Sequence, residues 1–164
     1  KCLDHEVSDK DRFPTFARTI PTHTQISQAA IAVLKHFNWR QFTIVRGDNI
    51  KMENLYDSIK TLCAKKENNL LIQNVLVFPD TFQRILTNHT KRIAEIVEQT
   101  YRKTRVYLMF GDYEAVYHFL IEMGKQGLMD RGEYVVIYLD PETYYLSPDH
   151  AMKNRYYRRM FWIF

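Results

Sequence analysis

The side chains of this chain that could do chemistry gather where apolar runs break. Arg46-Gly47-Asp48, Pro79-Asp80-Thr81, Gly111-Asp112-Tyr113 and Asp140-Pro141-Glu142 each set an acidic residue close to Gly or Pro. Asp, Gly and Pro make turns, each for its own reason, and Asp112 could cap a helix that follows it. Together, though, the four runs describe a rim at which a ligand could be held. Arg46, Asp48, Asp112, Tyr113 and Asp140 are its candidate binding residues.

Catalytic and metal chemistry find less support. Asp4-His5-Glu6 has metal-ligand side chains, but a solvated run close to Lys1 is the simpler reading. The six histidines (5, 23, 36, 89, 118 and 150) form no H-E-x-x-H pair or other ligand spacing. His36 and His118 read as surface or boundary positions on helices. Gly111 is followed by no glycine until Gly124, so neither a dinucleotide fingerprint nor a P-loop fits. There is no G-x-S-x-G elbow. No cofactor, metal or catalytic residue is expected, and an α/β enzyme with dispersed catalytic groups stays as a minor alternative.

The segment 153–164, KNRYYRRMFWIF, interleaves Lys153, Arg155, Arg158 and Arg159 with aromatic rings. That composition can grip phosphates and stack bases. Four charges at one end make no extended basic face, however, and MFWIF reads as a strand or helix at a truncated edge of the fold. No nucleic-acid partner is expected. Cys63 lies on the apolar side of a predicted helix, as a buried thiol or as a partner of Cys2 or of a cysteine elsewhere. Asn88-His89-Thr90 is an N-glycosylation sequon, which matters in a secreted protein.

Bulk properties set the frame. With 164 residues, 46% hydrophobic and a net charge of +4, the chain suits one domain, or one lobe of a larger protein. The longest apolar run, YVVIYL, is far shorter than the roughly 20 residues that span a bilayer. Any membrane attachment is therefore expected through a span outside this chain. A first residue of Lys and no visible signal peptide suggest an excerpt of a longer precursor.

The elements that must position the rim are legible. Thr22 and Gln25 have the spacing of a capping box, and Pro21 keeps the helix from starting earlier. Ile26, Ala29, Ala30, Val33, Leu34 and Phe37 then recur at three-four spacing, with Asn38 as a stop. FTIV (42–45) predicts a strand closed by the loop Arg46-Gly47-Asp48-Asn49. The unit repeats: helices marked by Leu55, Ile59 and Leu62, by Ile93, Ile96 and Val97, and by Val116, Phe119 and Met123 alternate with strands at 72–78, 105–110 and 134–139. Near-continuous apolar strands with crossover-length helices predict a three-layer α/β fold, its mostly parallel sheet flanked by helices. In such sheets ligands meet the carboxyl ends of the strands, where the acidic runs fall.

Phe16, Arg18, Thr19, Pro21, Gln25, Ala29, Leu34, Phe37 and Trp39 follow F-x-R-T-x-P, an Ala-rich amphipathic helix and F-x-W. This pattern resembles the ligand-binding region shared by receptor guanylate cyclases, glutamate and GABA-B receptors and type I periplasmic binding proteins. The stretch KCLDHEVSDKDRFPTFARTIP with KHFNW looks most like invertebrate receptor guanylate cyclases. The resemblance implies one lobe of a type I periplasmic-binding-protein-like fold within residues 1–164. Residues 13–21 would cross between lobes, 22–140 would form the second lobe, and 141–164 would be a truncated end. It further implies a peptide or small-molecule extracellular ligand, a homodimer in the full receptor, and a single membrane span with a cyclase domain elsewhere. Natriuretic peptide receptors bind hormone partly through a helix comparable to 53–65. MENLYDSIKTLCAKK lacks their aromatic-rich motif, so no hormone contact carries over. The alternative is a ligand-binding lobe of a glutamate/GABA-B-type or channel receptor for amino-acid-like ligands. A lone lobe with incomplete edges is expected to be poorly stable.

Overall fold

The computed structural model describes residues 9–15, 17, 21–79, 81–83, 85–130 and 132–139, with 160–163 described as backbone. Cys2, Asp4-His5-Glu6, Phe16, Arg18, Thr19, Asp80, Asp140-Pro141-Glu142 and the basic residues of 153–159 lie outside the described residues.

Helix α1 spans His23–His36 and starts as its cap dictates. Thr22 Oγ1 accepts from the Gln25 amide at 3.1 Å, while Gln25 Oε1 accepts from the Thr22 amide at 2.8 Å. Asn38, at φ 58°, turns the chain out of the helix as a left-handed residue can. Ile26, Ala30 and Leu34 are buried. Phe37, expected on the same stripe, is instead 46% exposed and stacks on Trp39 at 4.7 Å. The helix stops at His36, so its periodicity no longer governs where that ring points.

Strand β1 (Gln41–Gly47) leads to α2 (Ile50–Ala64), β2 (Leu71–Phe78), α3 (Thr87–Thr100), β3 (Val106–Phe110), α4 (Tyr113–Lys125), β4 (Val135–Leu139) and β5 (Met160–Ile163). The five strands form one sheet in the order β2-β1-β3-β4-β5, every pairing parallel. Residues of α1 and α2 pack with Phe42, Ile44, Leu108 and Ile137 on one face. Residues of α3 and α4 pack with Val45, Tyr107, Met109 and Val136 on the other. All five residues of β3 are buried because both faces are covered, which is why the strand reads as an unbroken apolar run. The three-layer architecture is the expected one. β5 adds a parallel neighbour to β4 from the MFWIF segment.

Two further expectations change. Arg46 and Gly47 belong to β1, not to a loop, because the parallel ladder continues through Arg46↔Val77 and Gly47↔Phe78. His118 is buried, 8% exposed, since α4 turns that flank toward α3 and the Phe82 ring.

Burial also tunes two weak acids. Desolvation pushes the Cys63 thiol from 9.0 up to about 11. It pushes the Tyr107 phenol from 10.0 to about 12, against the opposing pull of its hydrogen bond with Thr100 at 3.0 Å. Both raised values mean that the native chain holds these protons longer than the unfolded chain does. The contribution of these two groups to stability is therefore expected to be complete below pH 9.0 and to fall as pH rises through the window from 9.0 to about 12. Urea midpoints measured across that range test this, and Tyr107→Phe should blunt the upper part of the fall.

Candidate functional site

The chain leaves β1 for β2 on one side and β3 for β4 on the other, so the carboxyl ends of β1 and β3 form the switch point of the sheet. Gly47 and Gly111 meet there. A Cβ on Gly111 would lie 3.0 Å from the Gly47 nitrogen and 2.7 Å from Phe78 Cζ. Gly111 also has φ +137°, a region that side chains disfavour. The Tyr138 hydroxyl donates to the Gly111 carbonyl at 3.0 Å from β4. The floor of the rim is thus a contact of two backbones, backed by Phe78 and tied to the next strand.

Four of the expected rim residues flank this floor, and three of them have local work. Arg46 turns back toward α2: its guanidinium lies 5.7 Å from the centroid of the Tyr56 ring and donates to the Gly47 carbonyl at 3.1 Å. Asp48 has an exposed side chain, while its amide donates to the Phe78 carbonyl at 2.9 Å and joins the β1 and β2 ends. Asn49, not Asp48, caps α2 by accepting from the Met52 amide at 2.9 Å. Asp112 caps α4, accepting from the Glu114 amide at 2.7 Å. Tyr113 opens α4 and packs half-buried on the α3/α4 core. Asp140, by contrast, lies outside the described residues. Glu53 and Glu114 sit in the first turns of α2 and α4 and complement their positive ends.

Sequence reasoning missed the apolar share of the rim. Ile50 is 68% exposed at the first position of α2, and Ile85 is 88% exposed in the turn before α3, next to half-exposed Leu86. An isoleucine directly after a capping Asn, ahead of the buried stripe, is the one local signal that pointed there. The Gly47–Gly111 contact left no such signal, because it depends on β1 and β3 being neighbours.

Asn88, expected on a polar stretch between periodic segments, is exposed in the first turn of α3. Among the described residues no group of three or more His, Cys, Asp or Glu could hold a metal ion. No described helix is long and apolar enough to cross a membrane.

Comparison with known proteins places this geometry. Residues 1–160 match the family described as receptor family ligand binding region. The chain is 31% identical over 145 residues to guanylate cyclase 32E of Drosophila melanogaster, covering 88% of this chain and 12% of that protein. It is 30% identical over 149 residues to the receptor-type guanylate cyclase Gyc76C of the same fly, covering 88% and 9%. It is 27% identical over 181 residues to the speract receptor of Strongylocentrotus purpuratus, covering 96% and 16%. The chain therefore spans less than a fifth of the length of these relatives. A layered parallel sheet with an open rim, and a match running nearly its whole length, lead to one conclusion: this chain belongs to the family of receptor ligand-binding regions.

Proposed function

We propose that this chain is a ligand-sensing extracellular lobe of a single-span receptor guanylate cyclase, passing ligand binding on to cytoplasmic cGMP synthesis. The observation that carries this reading is the family match over residues 1–160, joined by relatives named as guanylate cyclases. Residues 13–21 cross between lobes and 22–140 form the second lobe. The lobe catalyses nothing itself. It offers a rigid platform whose ligand favours one arrangement of lobes or protomers, and signalling requires unequal affinity for the two arrangements.

Within the rim, Arg46 and Asp112 act by holding its shape, through the Tyr56 ring and the α4 cap. Asp48 and Tyr113 meet the ligand directly, and Asp140 is the fifth candidate contact. The exposed aliphatic side chains of Ile50, Ile85 and Leu86 favour a peptide over a small zwitterion, because a zwitterion needs paired charges more than apolar area. The receptor works as a homodimer, with a glycan on Asn88.

The test is the full-length receptor in cells, read by cGMP after addition of candidate extracellular peptides. Asp48→Asn is expected to raise the half-maximal peptide concentration about ten-fold, the loss of one charge-assisted contact. A reading frame that continues into seven membrane spans, or peptide binding without any change in cGMP, overturns the proposal.

A further inference from the structure

The turn between β2 and α3 is fastened by histidine. Phe82, nearly fully buried, is held against two imidazoles: His89 of α3 at 5.9 Å and His118 of α4 at 5.7 Å between ring centroids. The next residue makes the decisive contact. The Gln83 amide donates to Nδ1 of His89 at 3.1 Å. That bond exists only while Nδ1 carries a lone pair, in the neutral imidazole protonated at Nε2. We propose that His89 is a proton-sensitive tether of the β2–α3 turn, bonding the Gln83 amide while neutral and releasing that amide when protonated.

The sign follows from the chemistry. Protonation puts a hydrogen on Nδ1, so the Gln83 amide then faces another donor and loses its acceptor. The same turn ends in Ile85 and Leu86, the exposed apolar part of the rim. The Leu86 amide still donates to the Gln83 carbonyl at 3.0 Å, so acidification loosens the Gln83 end of the segment that presents those side chains.

The surroundings of the imidazole do not substitute for the lost bond. On α3 the nearby charges are Lys91 and Arg92; Arg92 is committed to the Val77 carbonyl at 3.1 Å and to Glu95 at 3.7 Å. From α4, beyond the Phe82 ring, come His118, Glu122 and Lys125; Glu122 Oε1 lies 3.3 Å from His118 Nε2 and 2.6 Å from Lys125 Nζ. Strand β2 (LIQNVLVF) carries no charge. Asp80 and Arg84 of the turn lie outside the described residues. The Phe82 face can stabilise a protonated imidazole, but it offers no acceptor to the Gln83 amide.

That the loosening alters ligand recognition rests on the reading of the rim given above; the tether rests on its own geometry. The experiment is therefore ligand-free: hydrogen exchange at the Gln83 amide of the full chain by NMR, corrected for intrinsic exchange, with β3 amides as the folded reference. Between about pH 8 and about pH 5, protection at Gln83 is expected to fall roughly two- to ten-fold, the loss of one hydrogen bond. His89→Asn supplies an amide oxygen in place of Nδ1 and cannot titrate, so its protection should stay level across the range. His89→Phe should lack the protection at both ends. A flat wild-type profile overturns the proposal. So does a His89→Asn profile that falls like wild type, or a fall shared by the β3 amides.

Discussion

Gly111→Ala is expected to destabilise the chain by about 3 kcal/mol or more, the sum of backbone strain and overpacking. At φ +137° the added Cβ meets Phe78 Cζ at 2.7 Å and the Gly47 backbone at 3.0 and 3.2 Å. None of these neighbours can give way easily. Phe78 is fully buried, and Gly47 is held in register opposite Phe78 of β2, one residue past the last β1–β3 pair. Gly127→Ala is the matched control: its φ is +69°, yet nothing lies within 4 Å of the added atom. It should cost about 1 kcal/mol, the left-handed term alone. Urea denaturation of the two variants separates steric from conformational effects, and equal midpoints would mean that the switch-point contact is looser than described. Because domains are stable by only about 5–15 kcal/mol, Gly111→Ala is also expected to be poorly folded at physiological temperature.

Phe119→Ala is expected to cost about 3–5 kcal/mol through the cavity it leaves. Phe119 is fully buried on α4, edge-on to Tyr107 of β3 at 5.1 Å, within the cluster that also takes in Ile93, Ile96 and Val97 of α3. Its ring fills the junction of two helices and the sheet, so no single neighbour can collapse into the space. Phe119→Leu keeps most of the volume and should cost less than about 1.5 kcal/mol. A loss for the alanine variant no larger than for the leucine one would show that the α3/α4 face repacks freely. These two substitutions attack opposite ends of one load path: Gly111 sets the floor of the rim, and Phe119 anchors the helix that Asp112 starts beside it.

Local chemistry was legible in the sequence at many points. The Thr22–Gln25 capping box appears with both of its hydrogen bonds, and Asn38 ends α1 in a left-handed conformation. Ile93, Ile96 and Val97, picked out by spacing, are all fully buried. The family pattern ending at Trp39 agrees with the match over residues 1–160. Each of these depends on residues a few positions apart, or on a periodicity that one helix or strand carries within itself.

The candidate rim was legible only in outline. The turns holding Asp48 and Asp112 were found, and so was the cap that Asp112 makes on α4, but not that Arg46 lies across the Tyr56 ring, ten residues on. His118 looked like a boundary residue because its burial comes from Phe82 and α3, both distant in sequence.

The sequence by itself determined the helices and strands from α1 to β4 and that both faces of the sheet are covered. Only the tertiary structure decided that β1 lies between β2 and β3, that Gly47 touches Gly111, and that the Gln83 amide meets Nδ1 of His89. The division has a physical cause. Propensity, capping and burial period act within a dozen residues, whereas strand order and side-chain direction are settled by contacts between segments dozens of residues apart, whose pairing no local pattern encodes.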